Sequence, residues 1–214
     1  MELTEAMRTT GTCRRFRPDP VPDEVLHRAF DAARFGPQGG NRQPVRWIVV
    51  RDQVLKKTLA DLYLPLWNDY IGGRTGELPP AVAEADRFAQ RLAEVPAIVV
   101  VCAELSALLA TDAELGRLSV VGGGSIYPTV QNLCLALRDL GVASAFTTLL
   151  CRVEPRVREL LAIPDGMITA GHLAIGYPER QFPTRLRRAP VADMVFADGY
   201  GRPLFGTDDG PQAG

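Results

Sequence analysis

The sequence predicts one mixed domain in which short buried strands are layered against amphipathic helices. Three observations carry this. Four apolar runs are too short for helices and rich in β-branched residues. The stretches between several of them repeat their apolar residues with the helical period. The chain has 214 residues, 46% hydrophobic and 23% charged, which is enough to enclose one sizeable core and too apolar for a disordered chain. These patterns leave the sheet open between a doubly wound parallel arrangement and an antiparallel one.

In order, Pro22-Asp23 followed by Leu26, Ala29, Phe30 and Ala33 gives a helical stripe that stops at Gly36-Pro37. A Gly-rich loop runs from Pro37 to Pro44, and Trp47–Val50 is the first strand, closed by Arg51-Asp52. Helical patterns follow over Val54–Tyr70, with Pro65 as a break and Gly72-Gly73 as the end, and over Ala81–Glu94. Ala97–Cys102 is the second strand. Gly122-Gly123-Gly124-Ser125 opens a helix with Ile126, Val130, Leu133, Leu137 and Leu140 on its apolar face and Gly141 as its stop; Pro128 fits only its first turn. Val142–Thr148 is the third strand, Glu154–Leu161 a short helix, and Ile168–Tyr177 the fourth strand. From Pro178 the chain is rich in Pro, Arg and Gly without a period, and is expected to be disordered or laid along another surface. No repeat or linker divides the chain, so residues 1–214 are expected to be one domain with 178–214 as an arm.

Composition removes several functions. Lys+Arg number 24 and Asp+Glu 25, a net charge of -1, so no nucleic-acid or anionic-membrane partner is expected. The longest apolar run, Val95–Ala103, is about half of the ~20 residues a membrane span needs. The cysteines Cys13, Cys102, Cys134 and Cys151 form no C-x-x-C pair, and the start Met1-Glu2-Leu3-Thr4-Glu5 carries no signal-peptide pattern. Reduced, mostly buried thiols in a cytoplasmic protein are expected. With only His27 and His172 as histidines, no metal site is expected. Neither nucleotide-binding glycine fingerprint and no nucleophile elbow is present. An enzyme built this way would rely on a bound cofactor, and both histidines read as satisfied structural residues.

Arginine is the remaining signal, since only Lys56 and Lys57 of the 24 basic residues are lysine. Arg8, Arg14, Arg15 and Arg17 crowd the start, and Arg180, Arg185, Arg187 and Arg188 crowd the beginning of the tail. By charge alone these read as two solvated faces sooner than as one anion site. The strings around them are more specific. Arg14-Arg15-Phe16-Arg17-Pro18-Asp19-Pro20-Val21-Pro22 and Ala33-Arg34-Phe35-Gly36-Pro37-Gln38-Gly39-Gly40-Asn41-Arg42-Gln43-Pro44 come first. Tyr127–Val142, Leu160–Gly166 and Ala174-Ile175-Gly176-Tyr177-Pro178 follow in order. Together, over about residues 8 to 190, they resemble the FMN-dependent nitroreductase family.

That resemblance implies an α+β fold: a central, mainly antiparallel sheet flanked by helices, in an intertwined homodimer with a C-terminal arm and FMN at the subunit interface. It implies that Arg8, Thr12, Arg14 and Arg188, with Arg187 as the alternative, hold the flavin phosphate and ribityl chain. Arg14 is also the cation beside flavin N1 and O2. Pro37, Gln38, Gly39 and Asn41 would lie against the partner's flavin ring, and Thr147, Thr148 and Leu149 would face N5, with Arg14 and Thr148 in the catalytic roles. The departures are Thr10-Gly11-Thr12 where the family has Arg-Arg-Ser, Gln38 for Ser, and Val45 for Trp. The implied activity is NAD(P)H reduction of FMN, then reduction of a nitroaromatic, quinone or related acceptor by a ping-pong mechanism. The alternatives are a flavin-processing or dehalogenating branch of the fold, and a non-catalytic flavin-binding dimer.

Overall fold

A computed structural model describes residues 1–72 and 79–206. In chain order its main elements are α1 (Leu3–Thr9), α2 (Asp23–Ala33), β1 (Val45–Val50), α3 (Gln53–Ile71), α4 (Pro80–Gln90), β2 (Ala97–Glu104), α5 (Tyr127–Asp139), β3 (Ala143–Thr147), α6 (Glu154–Leu160) and β4 (Met167–Gly176). The strands lie in the order β1-β2-β4-β3, and each neighbouring pair is antiparallel. That excludes the doubly wound alternative and agrees with the expected antiparallel sheet.

The sheet is sandwiched between two helical layers. On one face Ile98, Val100, Cys102, Ala145 and Ala174 pack against Leu59, Tyr63 and Trp67 of α3, Phe88 of α4 and Val157 of α6. On the other, Val99, Val101, Leu173 and Ile175 meet Leu26, Ala29 and Ala33 of α2 and Leu133 and Leu137 of α5. β2 and most of β4 are interior and covered on both sides, so they read as unbroken apolar runs and not as alternation. Each large side chain buried here contributes about 1.5 to 3 kcal/mol.

Most boundaries match the sequence to within two residues, and the exceptions have physical reasons. α3 runs through Pro65 without breaking. Pro65 faces solvent, as does Asp61, whose carbonyl loses its i+4 donor, so water replaces the missing bond. Asp52 caps the start of α3, accepting from the Leu55 N–H at 2.9 Å, and Gly72 ends it in the left-handed region at φ 50°; Gly73 lies outside the described residues. Residues Val121–Ser125 form a 3-10 turn, so α5 begins at Tyr127 and not at the glycines. The α1 helix has too little apolar periodicity to be read from sequence, burying only Ala6 and Thr9.

The tail is ordered against its own chain at its beginning. Arg17 N–H donates to the Tyr177 carbonyl at 2.8 Å, and Glu179 N–H to that of Arg15 at 3.1 Å. Leu186 N–H donates to the carbonyl of Arg8 at 3.1 Å. Gly11 is needed there because a Cβ would stand 3.0 Å from Leu186. Beyond a turn at Val191–Asp193 the chain doubles back, Leu204 N–H donating to the Val195 carbonyl at 3.0 Å. The all-irregular tail read from sequence therefore contains a small hairpin.

Candidate active site

The segment after α1 builds the site. Thr12 bridges to Ser144 in parallel, and Cys13 N–H donates to the Ser144 carbonyl at 2.9 Å, so residues 12–14 cover the otherwise open edge of β3. This places half-buried Arg14 near Tyr63 of α3, whose phenol its charge influences, although burial dominates and pushes that phenol up. Arg14 has no ion-pair partner among the described residues. A guanidinium held half-buried without a carboxylate is free to meet an incoming anion.

At the end of β3, the Thr147 hydroxyl donates to the Tyr63 oxygen at 3.5 Å and accepts from the Leu149 N–H at 3.3 Å. Two of the three donors expected to face a ligand here are thereby occupied within the chain. Thr148 is the exposed residue of the three, and no hydrogen bond from its side chain or N–H is made to the described residues. The outward donors at the strand end therefore belong to Thr148. Tyr63 is not legible as a site residue in the sequence: on α3 it falls in the apolar stripe with Leu59 and Trp67, and only the fold reveals that its hydroxyl reaches β3.

The two arginine groups do meet through the backbone. The pairs Arg8–Leu186, Arg15–Glu179 and Arg17–Tyr177 lay the beginning of the tail along the N-terminal segment. Arg8, Arg187 and Arg188 are exposed and unpaired among the described residues, and the Arg188 guanidinium donates only to the Arg187 carbonyl at 2.8 Å. Thr12 is exposed beside them.

The loop with Pro37, Gln38, Gly39 and Asn41 stands apart from this group. Gly36 packs so closely on the start of α5 that a Cβ would lie 2.6 Å from the Thr129 nitrogen. Gly39 N–H donates to the Ser125 hydroxyl at 3.0 Å, and the Gln38 amide to the Arg34 carbonyl at 3.4 Å. Gly40 turns the chain at φ 59°. None of the loop's hydrogen bonds among the described residues runs to Arg14 or Thr147.

His172 corrects one expectation. It is structural and 1% exposed, but both ring nitrogens lack a hydrogen-bond partner among the described residues, so it is buried without being satisfied. Burial lowers its pKa to about 4. Among the described residues no group of three or more His, Cys, Asp or Glu could hold a metal, and no helix is long and apolar enough to cross a membrane. All four cysteines are free; Cys102 alone is fully buried, and burial pushes its thiol up to about 11.

The nitroreductase family model matches residues 7–177. The chain belongs to the nitroreductase family. The NADH dehydrogenase of Thermus thermophilus is 28% identical to it over 199 residues, spanning 85% of this chain and 89% of that one. Among solved structures, an oxidized iodotyrosine deiodinase bound to FMN and 3-iodo-L-tyrosine superposes with a TM-score of 0.70 at 23% identity, covering 92% of this chain and all of that one. The NADPH:FMN oxidoreductase of Vibrio harveyi complexed with NAD+ gives 0.67 at 17% identity, over 92% and 77% of the two chains. At these identities the structural likeness establishes the nitroreductase fold.

Proposed function

We propose that this nitroreductase-family protein is an FMN-dependent oxidoreductase, in which NAD(P)H reduces the flavin and the flavin reduces a nitroaromatic, quinone or related small acceptor by a ping-pong mechanism. The observation that carries the reading is the meeting of unpaired arginines from both ends of the chain beside the exposed donors at the end of β3. The relatives' names support it, since they include an NADH dehydrogenase and proteins bound to FMN or acting on it with NADPH.

The donor set fits FMN. Arg188, or Arg187 beside it, together with Arg8, supplies permanently charged forks for a phosphate, and Thr12 a hydroxyl for the ribityl chain. Arg14 provides a fixed cation for the pyrimidine edge, where reduction concentrates negative charge; Thr148 presents its N–H and hydroxyl to N5, and Thr147 and Leu149 hold that turn in shape. FMN, when bound, supplies the hydride chemistry that no side chain here can perform.

The loop from Pro37 to Asn41 cannot serve a flavin at Arg14 of its own chain through the contacts it makes, so it serves the site of a second copy. The homodimer is further supported by exposed Leu105, Leu109, Leu118 and Val120 and by exposed Val191, Met194, Leu204 and Phe205 of the arm, which is proposed to extend from the single FMN-binding domain over its partner. The protein is proposed to work in the cytoplasm. With NADH or NADPH and a quinone, steady-state rates should give parallel double-reciprocal lines; intersecting lines would contradict a single pocket that serves donor and acceptor in turn.

A further inference from the structure

A cavity of about 320 Å³ opens between the N-terminal segment and α4, and Arg14 is part of its wall. That volume suits a small organic molecule. The cavity carries an unusual density of both charge signs, with Arg14, Arg15, Arg87 and Arg91 facing Glu84, Glu94 and Glu179. Its apolar part includes Phe16 and Phe88, whose rings are tilted against each other at 6.5 Å.

Most of these charges answer one another. Arg91 is paired with Glu94 at 2.6 Å, and Arg15 with Glu84 at 3.5 Å. Arg14 is assigned above to the flavin, and the present inference rests on that reading. One cation and one anion are then left, Arg87 and Glu179, each without an ion-pair partner within 4 Å among the described residues. They do not neutralise each other directly, and the two phenylalanines lie in the same wall. The complement of such a wall is a molecule with one carboxylate, one ammonium group and an apolar body. A neutral nitroaromatic or quinone would leave both charges unanswered, and a dianionic phosphate would meet the carboxylate of Glu179.

We propose that this cavity is the acceptor subsite of the flavin centre and that it selects an amino-acid zwitterion, with the ligand's carboxylate on Arg87, its ammonium group on Glu179 and its side chain against Phe16 and Phe88. The site therefore favours an acceptor that carries its reducible group on an amino-acid skeleton. Charge-assisted pairing at both ends makes the zwitterion bind more tightly than either singly charged analogue, by roughly tenfold in each comparison.

The test is calorimetric titration of the FMN-loaded protein with L-phenylalanine, 3-phenylpropionate and phenethylamine. These probes share a ring and differ in charge. Wild type should prefer phenylalanine roughly tenfold over each of the others. Arg87→Ala should lose the preference over phenethylamine, and Glu179→Gln the preference over 3-phenylpropionate. Both positions are at the surface, so the variants should fold, and flavin absorbance measured beforehand reports independently on the FMN reading. A yellow protein that binds the three probes equally, or binds no phenylalanine, would overturn the subsite and leave the flavin assignment standing. A wild-type protein that takes up no FMN would overturn both.

Discussion

The guanidinium carbon of Arg138 lies 3.9 Å from the ring centroid of Phe182, so the last turn of α5 holds the beginning of the tail by a cation–π contact. This clasp sits four residues before the Leu186–Arg8 hydrogen bond and six before Arg188. It acts before the phosphate-binding end of the arm and determines where that end lies. A contact of this kind contributes about 0.5 to 2 kcal/mol. Phe182→Ala should therefore loosen the tail without unfolding the sheet. Limited proteolysis should cut beyond residue 182 several-fold faster, while the far-ultraviolet spectrum is retained. An unchanged cleavage rate would show that the clasp does not hold the tail.

Arg188→Ala tests the arm's chemistry instead of its placement. A charge-assisted contact to a phosphate is worth about 1.5 to 3 kcal/mol. The FMN dissociation constant should rise roughly tenfold or more, and Arg187→Ala should have the smaller effect. An unchanged constant in Arg188→Ala would remove this residue from the site.

His172 makes the fold acid-sensitive. Its folded pKa of about 4 lies below the ordinary value of 6.5 because burial penalises the charged ring. On acidification the unfolded chain takes up the proton first. The stability associated with the neutral ring is complete above about pH 6.5 and is lost as pH falls toward 4, by up to about 3 kcal/mol. Urea unfolding of His172→Leu should show a flatter pH dependence between about pH 7 and 4.5 than wild type. The same slope in both proteins would mean that the acid sensitivity arises elsewhere.

Gly36→Ala should be costly for its size. The added Cβ would stand 2.6 Å from the Thr129 nitrogen, which is backbone and cannot swing aside. The loop would have to lift from α5, at about 1 to 3 kcal/mol. A lower urea midpoint with an unchanged m-value is the expected result; an unchanged midpoint would mean that the loop has room to move.

The fold is legible in the sequence where periodicity and burial act on the same residues, as along α2 and α5. The run Ala97–Ala103 is apolar throughout and does not alternate, yet its brevity and β-branched content still mark β2. The antiparallel order cannot be read locally, because strand direction depends on which distant runs pair; it follows from the family strings. α1 escapes a periodicity reading because it buries only two small residues, Ala6 and Thr9. Pro65 misleads because exposure lets water replace the lost bond. Within the site, the arginines and the threonines ending β3 are visible as motifs. Tyr63 and the mixed charges beside Phe88 are not, because each looks like an ordinary helix position until α3 and α4 are packed on the sheet.

The most direct test of the central claim is a titration of the purified apoprotein with FMN, followed by flavin absorbance and fluorescence, alongside Arg14→Ala. Wild type should bind FMN stoichiometrically, turn yellow and quench the flavin, and Arg14→Ala should bind it roughly tenfold or more weakly. A wild-type protein that stays colourless, or an Arg14→Ala variant that binds FMN as tightly as wild type, would contradict a flavin held against Arg14 at the end of β3.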